Sequence, residues 1–119
     1  MKTYTQQHLI TVSETAAAMG SGSLEVFATP AMIALMENTA IQTIDDLETG
    51  FTTVGIEINV QHLRASKPGE TVTCTAELVK HEGKLYEFQI VVENTKGDKT
   101  GTATHKRVAV RIEKFMNSL

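Results

Sequence analysis

The sequence predicts an α+β domain in which an antiparallel sheet of about five or six strands wraps around one long buried helix. Three observations lead there. Between Phe27 and Ile41 nearly every residue is apolar and most are good helix formers. From Phe51 onward the apolar residues recur at every second position, which is the period of a strand. The segments Lys67-Pro68-Gly69-Glu70, His81-Glu82-Gly83 and Asn94-Thr95-Lys96-Gly97-Asp98 cut that second half into pieces of strand length.

Taken in order, residues 3–12 read as a first strand ending in Leu9-Ile10-Thr11-Val12. Ser13 is placed to cap a short helix from Glu14 to Met19, and Gly20 to stop it. Gly20-Ser21-Gly22-Ser23 reads as a flexible joint, and Leu24 to Phe27 as a short extended piece. Thr29 then offers an N-cap hydroxyl, and Pro30 suits the first helical position. A helix with no clean polar face is expected to be buried all round. Glu37 stands in its middle, and a buried carboxylate is costly unless it is paired or hydrogen-bonded.

In the strand from Phe51 to Leu63, the even positions Val54, Ile56, Ile58 and Val60 form the apolar parity, and His62 continues it. Without a bulge, His62 faces the core beside the helix that carries Glu37. Val72, Cys74, Ala76 and Leu78 form the inward parity of the next strand, and Tyr86, Phe88, Ile90 and Val92 that of the one after. The last strand is read from about Lys99 to Glu113. Its apolar parity is Val108, Val110 and Ile112, while Gly101 and Ala103 fall on the other, so a bulge or a second covered face is expected there.

The 119 residues and 41% apolar content suit a single domain, 1–119, with one core. A net charge of −3 gives no basic excess for nucleic acid. The polar N-terminus lacks the apolar run of a signal peptide, and no stretch is long enough to span a membrane. One cysteine, Cys74, fits a reducing compartment, so the expectation is a soluble cytoplasmic protein. No His, Cys, Asp and Glu cluster has metal-ligand spacing and no glycine-rich phosphate loop occurs, so no metal and no cofactor are expected. A single helix and sheet leave open sheet edges, which a second copy would cover.

Ala28-Thr29-Pro30-Ala31-Met32-Ile33-Ala34-Leu35-Met36-Glu37 is followed by Val54-Gly55, Val60-Gln61-His62-Leu63, Pro68-Gly69 and Gly101-Thr102-Ala103-Thr104-His105-Lys106-Arg107. This combination resembles the hotdog-fold thioesterases, and within them the fluoroacetyl-CoA thioesterase-like family, from about residue 10 to residue 112. The resemblance implies a hotdog fold, an acyl-CoA substrate, a homodimer or tetramer, and sites at the subunit interface. It implies catalytic roles for Thr29, Glu37 and His62, and a place beside the reacting carbonyl for Gly55.

Glu37 could then attack a thioester or deprotonate a water. His62 could activate water or the threonine, or protonate the leaving thiolate. Thr29 could cap the helix and orient a substrate oxygen together. Gly55 could mark a bulge or a close approach of backbone to ligand. Phe27, Met32 and Met36 are expected in the acyl pocket wall, and Arg64 and Lys67 near the phosphates of coenzyme A. Lys106 and Arg107, on the last strand, are further basic candidates for those phosphates, with ordinary surface charge as the simpler reading of each; His105 reads as a structural strand histidine, Cys74 as core, and His8 and His81 as solvated. Two other readings stay open. A hotdog-fold enoyl-CoA hydratase would carry an acidic residue and a histidine in one Asp-x-x-x-x-His motif, which the helix lacks. A non-catalytic acyl-CoA or apolar-ligand binding module would give Glu37 no return for its burial.

Overall fold

The structure, a computed structural model, describes residues 2–119. Strand β1 (Lys2–Leu9) leads through a 3-10 turn (Val12–Glu14) to a single helical turn, α1 (Ala16–Met19), and then to α2 (Thr29–Ile41). Four strands follow, β2 (Phe51–His62), β3 (Thr71–Glu82), β4 (Leu85–Glu93) and β5 (Lys99–Arg111), and a short helix, α3 (Ile112–Asn117). The five strands form one antiparallel sheet in the order β1-β3-β4-β5-β2. Because β1 and β2 occupy opposite edges, the chain between them must cross the sheet. That crossing lays α2 over one face, where it touches all five strands.

The inward parities of β3 and β4 are those the sequence indicates. Val72, Cys74, Ala76, Tyr86, Phe88, Ile90 and Val92 are buried against α2. Cys74 is wholly enclosed, and burial pushes its thiol up to about 11, which leaves it protonated and inert.

Five expectations change. The short helix is capped by Thr15, whose hydroxyl accepts from the Ala18 N–H, and not by Ser13. The N-cap of α2 is Ala28, and Thr29 is already helical with its hydroxyl turned elsewhere. The start of α2 is pinned instead by main-chain bonds, Phe27 N–H to the Ser66 carbonyl and Ala28 N–H to the Glu14 carbonyl, both 2.8 Å. The helix is not buried all round. Ala31, Met32, Leu35, Met36 and Ala40 face the sheet, while Pro30, Ala34 and Ile41 are exposed and Ile33 is half-buried.

The fourth change is in β2. Gly55 pairs with Arg107 but Glu57 with Lys106, so Ile56 is an extra residue. Before this bulge the inward residues are Phe51, Thr53 and Gly55, and after it Ile58, Val60 and His62. Val54 therefore belongs to the outer face and Ile56 is 55% exposed. The fifth concerns β5, which keeps one inward parity through Gly101, Ala103, His105, Arg107 and Ala109. Val108 and Val110 are on the outer side, and Ile112 opens α3 instead of prolonging the strand.

Gly101 marks the closest approach of helix and sheet. A Cβ there would lie 2.6 Å from Met32 Sδ and 3.1 Å from Met36 Cε, and both methionines are fully buried. Gly101→Ala is expected to lower unfolding stability by about 1–3 kcal/mol through overpacking, as measured by chemical denaturation. A loss below about 0.5 kcal/mol would show that Met32 swings aside freely.

Candidate active site

Two polar clusters border the sheet-side and exposed faces of α2. The first gathers around Gly55. A Cβ at this position would sit 3.2 Å from Glu37 Oε2, 3.3 Å from Arg107 Nη1 and 3.3 Å from His105 Cε1. Only glycine leaves that point free, so a carboxylate, a guanidinium and an imidazole converge on bare main chain. Glu37 is not enclosed as the sequence implies: its side chain is 38% exposed, and the Arg107 guanidinium lies 3.8 Å away.

Arg107 departs most from its sequence reading, for it is 7% exposed and no surface charge. Its Nε–H donates to Thr53 Oγ1 at 2.8 Å and its Nη2–H to the Thr53 carbonyl at 3.0 Å. Its Nη1–H donates to His105 Nε2 at 3.2 Å. A ring nitrogen that accepts from a guanidinium carries no proton, so His105 is the neutral tautomer with hydrogen on Nδ1. That Nδ1–H donates to the Glu57 carbonyl, 2.8 Å away, immediately after the bulge. Burial holds His105 below the ordinary histidine range; the Glu57 carbonyl works against this, and the positive charge of Arg107 adds to it.

The second cluster joins the start of α2 to the end of β2. Thr29 Oγ1 and His62 Nδ1 are hydrogen-bonded at 2.8 Å. Burial pulls His62 below its usual range, against an opposing main-chain hydrogen bond at Arg64. The pair opens into a groove of about 320 Å³, also bordered by Phe27, Leu63 and Arg64. Phe27 is held from behind by His8, whose ring stacks on it at 5.8 Å and whose Nε2 meets Glu14 at 2.9 Å, so His8 is not simply solvated.

Thr29 and Glu37 lie two turns apart on α2, about 12 Å along its axis. One chain therefore brings Thr29 to His62, and Glu37 to Gly55, but does not join the pairs. Phe27 and Arg64 border the groove. Met32 does not: it is fully buried over Gly101. Met36 is likewise core. Lys67 is exposed at the turn before β3, where its N–H donates to the Glu70 carboxylate. Arg107 and Thr53 are the residues that sequence reasoning missed. The available signal was the parity of β5, in which Arg107 follows Gly101, Ala103 and His105 at steps of two.

A five-stranded antiparallel sheet folded over one central helix is the hotdog architecture. A hot-dog-like protein from Thermanaerovibrio acidaminovorans shares it, with a TM-score of 0.87 at 23% identity over 98% of this chain and 86% of that one. The model of the fluoroacetyl-CoA-specific thioesterase (FlK) family matches residues 10–113, and the chain belongs to that family. The fluoroacetyl-CoA thioesterase of Streptantibioticus cattleyicolor is 39% identical over 92 residues, covering 76% of this chain. The matched segment spans 66% of that relative's length, just under two thirds. The solved structure of the fluoroacetyl-CoA thioesterase FlK superposes with a TM-score of 0.91 at 31% identity, over 98% of this chain and 91% of that one. A point mutant of that enzyme, in complex with fluoroacetate and CoA, superposes with a TM-score of 0.89.

A buried neutral histidine has a stability signature. His105 titrates lower in the folded chain than its ordinary value of 6.5, so below about pH 6.5 the unfolded chain takes up a proton that the folded one refuses. Stability is expected to hold above that pH and to fall as pH drops toward the folded value. The slope from this group reaches at most about 1.4 kcal/mol per pH unit. His105→Gln is expected to flatten the slope below about pH 6.5 in denaturation series, whatever its effect on absolute stability. An unchanged slope would mean that His105 is not held neutral.

Proposed function

We propose that the chain is an acyl-CoA thioesterase, which hydrolyses a thioester to a carboxylic acid and free coenzyme A. The observation that carries this reading is the convergence of Glu37 and Arg107 on the open backbone at Gly55. A thioester carbonyl laid on Gly55 has a carboxylate on one side and a positive charge to balance the oxyanion on the other. Glu37 either attacks the carbonyl carbon, forming an anhydride that water then opens, or takes a proton from the attacking water. In both routes the C–S bond breaks and coenzyme A leaves as a thiolate. The Thr29–His62 pair serves the other side of the reaction. With its pKa lowered, His62 is largely neutral near pH 7 and suited to accept a proton from water.

We place the two pairs together across a homodimer. The open face of α2 holds exposed Thr29, Pro30, Ala34, Asn38 and Ile41 and half-buried Ile33 and Glu37. In an isologous interface residue i meets j and j meets i. Helices packed antiparallel about Ile33, which is midway between Thr29 and Glu37, set Thr29 of each chain opposite Glu37 of the other. Two equivalent sites result. A lone buried cysteine suits the cytoplasm, where we place the protein.

Two experiments test these statements. Glu37→Gln is expected to cut thiol release by about 10²–10⁴-fold on an acyl-CoA panel running from acetyl and fluoroacetyl to aromatic groups. Full activity in that variant, or no turnover of any thioester by the parent protein, sinks the reading. Ile33→Glu is expected to shift the sedimentation of the protein from dimer to monomer and to abolish turnover with it. A monomeric parent protein, or an active monomeric variant, removes the shared site.

A further inference from the structure

His105 is buried, 2% exposed, and the hydrolysis outlined above gives it no task. Both of its ring nitrogens are committed. Nδ1 lies 2.8 Å from the Glu57 carbonyl, which can only accept, and Nε2 lies 3.2 Å from Arg107 Nη1, which can only donate. One protonation state satisfies both ends, with hydrogen on Nδ1 and a free lone pair on Nε2. The other neutral tautomer sets acceptor against acceptor at Glu57 and donor against donor at Arg107. The imidazolium keeps the Glu57 bond, but at Arg107 it sets donor against donor between two cations whose nearest nitrogens are 3.2 Å apart. Turning the ring over brings carbon against both partners.

The charges that act on this ring are Arg107, on its own strand, and Glu37, on α2. Its neighbour on β2 is Ile58, and the Glu57 carboxylate lies 3.7 Å from the Lys106 ammonium on the outer face. Its neighbour on β4 is Phe88, whose ring is stacked on it at 5.6 Å. A protonated His105 would therefore leave two positive charges facing one carboxylate.

What His105 controls is the aim of Arg107. A guanidinium is planar and carries five N–H donors. Here Nε–H and one Nη2–H go to Thr53, and one Nη1–H goes to His105. Those three bonds fix the plane, and with it the second hydrogen on Nη1. That nitrogen lies 3.3 Å from the open point at Gly55 and 3.8 Å from Glu37 Oε2.

We propose that His105 is a positioning residue for the hydrolysis: its unprotonated Nε2 holds the Arg107 guanidinium beside Gly55, and a proton on that nitrogen releases the guanidinium and disarms the site in acid. On the thioesterase reading above, on which this role rests, the released guanidinium no longer balances the oxyanion, and Glu37 gains an imidazolium to pair with.

Nitrogen-15 NMR of the protein across a pH series, with kcat and KM measured over the same series, tests the role. His105 is expected to carry its hydrogen on Nδ1 at neutral pH and to titrate below its ordinary value of 6.5. The Arg107 Nε–H signal is expected to move with the same midpoint. In His105→Gln, whose amide oxygen can accept in place of Nε2, the acid limb of log kcat is expected to lose one proton, its slope falling by about one. His105→Leu, which has no acceptor, is expected to lower kcat at about pH 8 by tenfold or more with KM nearly unchanged, and His105→Gln to lose less. The opposite tautomer, an Arg107 signal that ignores the His105 titration, an acid limb unaltered in His105→Gln, or equal losses in the two variants each overturn the role. Where His105→Leu does not fold, the parent protein and His105→Gln decide the matter alone. The NMR titration needs no turnover. A protein that hydrolyses no thioester sinks the thioesterase reading, while joint movement of the His105 and Arg107 signals would still show that one holds the other.

Discussion

The site depends on one extra residue. Gly55 and His62 are seven positions apart, and in an unbroken strand they would face opposite sides of the sheet, because the side-chain period is two. The bulge at Ile56 adds the missing step and turns both toward α2. The residue paid out to solvent is an isoleucine, 55% exposed. The same irregularity frees the Glu57 carbonyl to accept from His105. One insertion therefore both aims two site residues and orients a third.

From that carbonyl a chain of directed hydrogen bonds runs to the candidate site. The Glu57 carbonyl fixes the His105 tautomer, the neutral ring accepts from Arg107, and Thr53 holds the guanidinium at two further points. Burying an arginine is costly unless its donors are used and a counter-charge is near. Here Nε, Nη1 and Nη2 all have partners, and Glu37 supplies the negative charge. Every member is mounted on a strand or a helix. Such mounting holds functional groups more precisely than loops do. The Thr29–His62 pair follows the same logic, with the Phe27–Ser66 main-chain bond tying the start of α2 to the chain just after β2.

Much of this was legible in the sequence. β3 and β4 have one face on α2 and one in solvent, so their alternation maps directly onto burial. Thr29, Glu37, Gly55 and His62 stand out as residue types at odds with their surroundings. What stayed hidden has physical causes. A stripe of apolar residues on an open helix face looks in sequence like core, so α2 reads as enclosed. Thr29 before Pro30 has the chemistry of a cap, and only the neighbouring imidazole shows where its hydroxyl goes. Arg107 hides because Val108 and Val110, on the outer face of β5, mimic an inward parity, and the true one is built from glycine, alanine, histidine and arginine.

The proposed dimer gives a reason for α2 to depart from the ordinary amphipathic pattern. A helix serving only its own core would present polar residues to solvent. This one exposes Pro30, Ala34 and Ile41 beside half-buried Ile33, with only Asn38 polar among them, Thr29 toward one end and Glu37 toward the other. In the dimer proposed above, a twofold axis between them would turn a separation of two turns into a meeting of unlike groups, twice. The apolar residues between supply area to bury, and the polar ones at the ends supply chemistry. Within one chain Thr29 already holds His62 and Arg107 already stands by Glu37, so each half of the proposed shared site would be ordered before association. Association then has little side-chain freedom left to remove, and preorganisation of that kind is where a site gains most of its precision.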